Sequence, residues 1–312
     1  MERCDFLPVS AEEMHERGWW WYDALVVGGD AYVDHPSFGT AVISRVLEAE
    51  GLRVAVLAQP DWHNAEAFRA MGRPRLGVFI GAGNLDSMVA HYTAAKRRRS
   101  EDFYSPGKRT GCRPDRAAIV YCNRAREAFG PDMPIILGSL EASLRRFAHY
   151  DYWDDSVRRA ILFDAPADLL VYGMGEAATI EIAHRLKKKQ SVRTMTDIPG
   201  TGYITRDPSV CKFDHITLPS FEDVRDDKRL YAEATRTEYA EHDPIRGRAM
   251  IQPCEGRYLI INPPAMPLDT KELDRVAGLP YTREWHPMYE PLGGVPAIEE
   301  VRFSVIHNRG CF

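Results

Sequence analysis

Between residues 24 and 189, short apolar runs alternate with longer stretches that are apolar on one side only. The runs at 24–28, 53–57, 76–80, 134–137 and 168–172 are nearly continuous in Val, Ile, Leu and Ala, and each predicts a strand. Residues 38–50, 64–71, 85–97, 115–129 and 176–189 predict helices; Gly51 closes the first, and lysines fill the last turn of the final one. Residues 154–163, with an acidic start, predict a further helix. Strands without polar alternation, set between amphipathic helices, imply a parallel sheet covered on both faces. The expected class is therefore α/β: a flavodoxin-like (Rossmann-like), doubly wound domain over residues 1–195.

Past residue 195 this rhythm fades. Pro199, Pro208 and Pro219 punctuate a loop-rich α+β connector over residues 196–300. Within it, 221–242 predicts one helix, 269–277 a short one, and 248–252 with 257–261 a hairpin around Cys254-Glu255-Gly256. Residues 262–267 are extended, because proline biases both itself and its predecessor away from the helix. Residues 280–300 form a Pro/Gly-rich link. The β-branched alternation of 301–307 predicts a last strand.

Composition narrows the class. At 45% hydrophobic and 27% charged residues the chain is globular rather than disordered. A net charge of −5 gives no basic field for nucleic acid, and the run Lys96-Arg97-Arg98-Arg99 is expected as the solvated end of a helix. No 18-residue apolar stretch points to a membrane span, and Met1-Glu2-Arg3-Cys4-Asp5 is not the start of a signal peptide, so cytoplasmic residence is expected. Cysteines 4, 112, 122, 211, 254 and 311 show no Cys-x2-Cys spacing, which argues against a zinc ribbon. All six are expected to be reduced, with Cys122 buried as a small hydrophobe.

Open α/β sheets bind ligands beyond the carboxyl ends of their strands. Polar and glycine clusters fall there: Gly28-Gly29-Asp30 leading to Asp34-His35, Gly81-Ala82-Gly83-Asn84, Gly138-Ser139-Leu140-Glu141 and Gly173-Met174-Gly175-Glu176. Asp34, His35, Glu141, His149, Asp151 and Glu176 are the candidates for a binding cleft. For Asp34 and His35 the competing role is to cap a helix starting near Pro36. A dinucleotide site is disfavoured: Asp86 stands where a third glycine is needed after Gly81 and Gly83. Gly173-x-Gly175-x-x-Ala178 fits the pattern but follows the last strand, and no acid follows at ribose spacing. In the polar-aromatic stretch 145–159, His149 and Asp151 either line a cleft or belong to a set of arginine–aspartate pairs over packed aromatics. The second reading is favoured.

Several blocks carry a family resemblance. They are Asp30-Ala31-Tyr32-Val33-Asp34-His35-Pro36-Ser37-Phe38-Gly39, Ala58-Gln59-Pro60-Asp61-Trp62, Glu141-Ala142-Ser143-Leu144-Arg145-Arg146, His149-Tyr150-Asp151-Tyr152-Trp153, Leu218-Pro219-Ser220-Phe221-Glu222, Ile261-Asn262-Pro263-Pro264-Ala265 and Arg309-Gly310-Cys311-Phe312. In that order they resemble the N-terminal portion of YgiQ-type radical SAM proteins. The resemblance implies that residues 301–312 begin the radical SAM barrel. Cys311 would be the first ligand of a 4Fe-4S cluster that binds and reductively cleaves S-adenosyl-L-methionine (SAM). The other two cysteines of the Cys-x3-Cys-x2-Cys loop would fall at positions 315 and 318, which the chain does not contain. The fragment alone is thus not expected to be catalytic. Implied partners are the C-terminal barrel, an unknown substrate and an electron donor. The domain order also resembles cobalamin-dependent radical SAM proteins. The Asp-x-His-x-x-Gly pattern is not met, since Asp34 and His35 are adjacent and Gly39 is one residue too far, so cobalamin is disfavoured. The alternatives are a cobalamin-binding module or a non-catalytic interaction domain.

Overall fold

The computed structural model describes residues 5–304. Its strands are β1 (Ala24–Gly28), β2 (Val54–Ala58), β3 (Gly77–Gly81), β4 (Ile135–Leu137), β5 (His149–Asp151), β6 (Ser156–Arg158), β7 (Leu169–Val171), β8 (Thr201–Thr205), β9 (His215–Thr217), β10 (Ala249–Cys254) and β11 (Arg257–Ile261). Among the described residues, nine strands form one sheet in the order β2-β1-β3-β4-β7-β8-β11-β10-β9, and β5 and β6 make a separate hairpin. The first five are parallel. At β7 the direction changes: β8 is antiparallel to β7, β11 to β8 and β10 to β11, while β9 runs parallel to β10. The sheet is therefore mixed and mostly parallel, and it continues across residue 195.

The helices are α1 (Ala11–Glu16), α2 (Gly39–Ala49), α3 (Glu66–Arg69), α4 (Ser87–His91), α5 (Ala117–Phe129), α6 (Ser139–Leu144), α7 (Glu176–Lys187), α8 (Phe221–Asp226), α9 (Lys228–Ala240) and α10 (Thr270–Ala277). Side chains alternate across a strand, so both faces of the parallel strands find cover. Val26, Val56, Phe79, Ile136 and Val171 pack with Val42 and Val46 of α2 and Ala178 and Ile182 of α7. Leu25, Val27, Ile80 and Leu137 pack on the opposite face with Phe68 of α3 and Tyr121, Cys122 and Ala125 of α5. Among the described residues no helix is long and apolar enough to cross a membrane.

Four local expectations are corrected. The helix expected over 85–97 ends at His91, because Asp115 takes the His91 ring (Nδ1 to Oδ1, 2.6 Å) and the Tyr92 hydroxyl (2.7 Å). The basic run then lies on an exposed turn with Lys96 at φ 58°. The helix expected over 154–163 is replaced by the β5–β6 hairpin. Asp151 accepts the Trp153 and Asp154 amides (2.9 and 3.2 Å), and Asp155 turns the chain at φ 50°. The helix expected over 221–242 breaks at Asp227, which is extended (φ −127°, ψ 113°) and caps α9 by accepting the Arg229 amide. Lastly, the described part of the expected final strand, 301–304, is a turn closed by Arg302 N–H to Ile298 C=O at 2.7 Å.

The closest backbone approach is at the carboxyl ends of β1 and β3. A Cβ on Gly29 would stand 1.9 Å from the Ala82 carbonyl oxygen, whereas one on Gly39, in the first turn of α2, would meet nothing within 4 Å. Gly29→Ala is expected to cost about 3 kcal/mol in urea unfolding, an overpacking penalty. Gly39→Ala should be neutral or stabilise by up to about 1 kcal/mol through helix propensity. Equal effects of the two substitutions would contradict this backbone contact.

Candidate functional site

The strand-end glycines open a crevice of about 160 Å3 at the carboxyl ends of β1, β3, β4 and β7. Its floor is Val26, Phe79, Ile136 and Val171, and Val42 and Ile43 of α2 form the opposite wall. The reversal of strand order between β1 and β3 makes this the switch point of the parallel strands, where the direction of chain winding leaves a gap between loops. The rim is polar: Thr40 from the first turn of α2, Ser139 at the start of α6, and Glu176 and Thr179 from the first turn of α7. Gly173, at φ 70° with open space around its Cβ position, lets the chain leave β7 without covering the gap. The Ser139 hydroxyl accepts the Ala82 amide at 3.0 Å and ties the β3 and β4 loops together.

A buried charge network sets the position of these loops. Arg113 is 1% exposed and donates to Asp30 Oδ1 (2.6 Å) and to both oxygens of Asp102 (2.9 and 2.7 Å). The other Asp30 oxygen accepts the Asn84 amide at 2.6 Å. The Asn84 side chain in turn accepts the Gly39 amide (3.1 Å) and donates to the Ser37 carbonyl (2.9 Å). Burial pushes the Asp30 carboxyl up to about 6, against the opposing pull of Arg113. The loops after β1 and β3 and the start of α2 are thereby held as one unit around the crevice.

Of the sequence candidates, Glu176 lines the crevice; it is 1% exposed. The rest have other surroundings. Asp34 is fully buried, pairs with Arg45 of α2 (Oδ1 to Nε, 3.1 Å) and accepts the Thr282 amide (3.0 Å). It does not cap a helix at Pro36, because α2 starts three residues later. His35 is buried beside it; Nδ1 accepts the Ser37 amide (3.1 Å), and Nε2 is buried with no hydrogen-bond partner among the described residues. Burial, aided by Arg283, lowers its pKa and keeps it neutral. Glu141 is buried and accepts the Ser87 amide (2.8 Å) and the Ala118 amide (3.0 Å), so one carboxylate serves the first turns of both α4 and α5. Burial, with Asp86 nearby, raises its pKa.

His149 and Asp151 sit on the β5–β6 hairpin. His149 Nδ1 contacts the Phe147 carbonyl oxygen at 3.0 Å, and burial lowers its pKa. Asp151 pairs with Arg116 at 3.0 Å. Its carboxyl is held below the ordinary range because the amide and Arg116 hydrogen bonds outweigh burial. The surrounding charges also pair: Arg158 with Asp154 and Asp164, Arg159 with Asp164, and Arg145 with Asp86. Cys311 lies outside the described residues. Among those described, no group of three His, Cys, Asp or Glu side chains is arranged to hold a metal. Thr40 and Thr179 escaped the sequence reading; their signal was a hydroxyl in the first turn after Gly39 and Gly175.

Residues 6–304 match the family described as Radical SAM N-terminal. A UPF0313 protein of Clostridium botulinum strain 657 is 54% identical over 312 residues, which is 100% of this chain and 48% of that protein. A UPF0313 protein of Clostridium perfringens strain SM101 is 52% identical over 311 residues, 100% of this chain and 47% of that protein. The chain spans about half the length of these curated relatives. Among solved structures, the radical S-adenosylmethionine methyltransferase TsrM from Kitasatospora setae, with cobalamin and a 4Fe-4S cluster bound, is similar at 19% identity and a TM-score of 0.37, covering 58% of this chain and 26% of that chain.

The charge network makes a signed prediction. Arg113→Met leaves two buried carboxylates without their cation and should cost on the order of 3–5 kcal/mol at pH 8. The loss should shrink at pH 5. Asp30 in the folded protein titrates above its ordinary 3.8, so its contribution is largest below about pH 4 and falls as pH rises through about 6. Urea unfolding of both proteins at the two pH values checks this, and a loss independent of pH would contradict it.

Proposed function

Because the chain belongs to the Radical SAM N-terminal family, we propose that it is the ligand-binding N-terminal module of a radical SAM enzyme. The observation that carries this reading is the family match across residues 6–304. In the whole protein, Cys311 and two further thiolates would hold a 4Fe-4S cluster, which supplies reductive cleavage of SAM and a radical that starts chemistry on the substrate. The described residues do not fit that cluster. They hold no metal-binding group, and Cys122 and Cys254 are buried, the Cys254 thiol pushed up to about 12. The cluster, the barrel and the electron donor therefore belong to the remainder of the protein in this reading.

What this chain contributes is a shaped edge. The order β2-β1-β3-β4-β7 supports reading residues 5–195 as a flavodoxin-like unit, with β8–β11 as the connector that widens its sheet. A strap over residues 282–302 returns to that edge. Val33 bridges Trp285, the His286 amide bonds the Tyr32 carbonyl (3.0 Å), and the Ala297 amide bonds the Phe103 carbonyl (3.0 Å). The strap thus lies against the segment that follows β1 and against Phe103.

The test uses the full-length protein, reconstituted anaerobically with iron and sulfide. The wild type should carry a cluster and convert SAM to 5′-deoxyadenosine under reduction. Cys311→Ala should lose both the cluster absorption and the product while its melting temperature stays unchanged. Retention of iron and of SAM cleavage in the variant would contradict the assignment.

A further inference from the structure

We propose that Arg146, just past α6, anchors a site that takes the carboxylate of a small-molecule ligand. This goes beyond the radical SAM reading and does not rest on it, since the site is built from the ends of α6, β7 and α9 alone. Arginines of the neighbouring segments are committed: Arg116 to Asp151, Arg145 to Asp86, and Arg158 and Arg159 to Asp164. Arg146 pairs with no carboxylate among the described residues. Its guanidinium is nevertheless fixed: Nη1 donates to the Ser143 carbonyl (2.5 Å) and Nη2 to His242 Nδ1 (3.0 Å). The group also lies over the rings of Phe147 (5.3 Å) and Tyr172 (5.1 Å). Nε is buried and has no hydrogen-bond partner among the described residues. The fork is thus oriented in advance, with N–H groups still to give.

The groups that face Arg146 supply no counter-charge at neutral pH. The Tyr172 hydroxyl donates to the Asn262 carbonyl at 2.6 Å, and burial keeps the phenol protonated. His242 accepts from Arg146, so its Nδ1 carries no proton; burial, and then Arg146, lowers its pKa. Glu238, on α9, is the carboxyl that faces Arg146, and burial pushes it up to about 8. The cluster therefore holds one half-buried positive charge with no anion against it, and a charge drawn out of water calls for a partner. A planar guanidinium meets a carboxylate through paired N–H donors. A single positive charge suits that monoanion better than a phosphate dianion. Tyr172 directly follows β7, so the ligand's carboxylate stands on the same edge of the sheet as the crevice, beside Gly173.

The experiment is saturation-transfer NMR of acetate with the full-length protein, read at the acetate methyl signal. Acetate should bind saturably, and Arg146→Gln should weaken it at least about tenfold. Glu238 sets the sign with pH: as pH rises through about 8 its carboxyl ionises and cancels the charge that draws the ligand. Wild-type affinity should therefore fall about tenfold between about pH 6.5 and about pH 9.5. Glu238→Gln copies the protonated acid and should bind acetate equally at both. Where Arg146→Gln melts early, the comparison of wild type with Glu238→Gln decides. The proposal is overturned by no saturable acetate signal, or by affinity unchanged in a folded Arg146→Gln. It is equally overturned if wild-type affinity does not fall with pH, or if Glu238→Gln keeps the fall. Phosphate that displaces acetate at concentrations below acetate's own dissociation constant would also overturn it, and would make the ligand group a phosphate.

Discussion

Arg113 has two carboxylates to satisfy and no access to water. A guanidinium removed from solvent is tolerable only when its charge is paired, and here Asp30 takes Nη1 and Asp102 takes Nη2. That requirement fixes the loop after β1, the segment around residue 102 and the approach to α5 against one another. Through Asp30 it reaches Asn84, and through Asn84 the start of α2. The loops after β1 and β3 and the start of α2 are thus tied, through at most three hydrogen bonds in series, to a single buried cation.

The same principle recurs on the opposite side. Glu141 gives its two oxygens to the first turns of α4 and α5, and the Asp86 side chain caps α4 while pairing with Arg145. Asp34 joins α2 to the strap at Thr282. Carboxylates that sit at strand ends, where a binding role would be expected, instead satisfy backbone amides and arginines. Glu176, at the start of α7, lines the crevice together with Thr40, Ser139 and Thr179.

The parallel half of the sheet was legible in the sequence because strands such as Val54–Ala58 and Ile135–Leu137 are apolar on both faces, and a short run of that kind between amphipathic helices suits a strand covered on both sides. The hairpin at 149–158 was not, because a turn held by the Asp151 side chain and by arginine–aspartate pairs looks like a polar helix in one dimension. The extension β8–β11 was half visible: the β10–β11 hairpin showed in its turn residues, while Thr201–Thr205 became a strand only by pairing with Ile261 and its neighbours. Strand-end glycines at 81, 138, 173 and 175 do line the crevice. Which acid faces it could not be read, because Asp34, Glu141 and Glu176 occupy similar positions after apolar runs and differ only in the long-range donors they meet.

The central claim is that one buried cation, Arg113, fixes the loops that frame the crevice at the switch point. Hydrogen–deuterium exchange of the full-length protein and its Arg113→Met variant tests it most directly, because amides report the opening of each loop. The account predicts protection lost in the variant at 29–31, 37–40 and 81–84, with none lost on the 149–158 hairpin. Unchanged protection at those loops, or a loss spread equally over the hairpin, would contradict it.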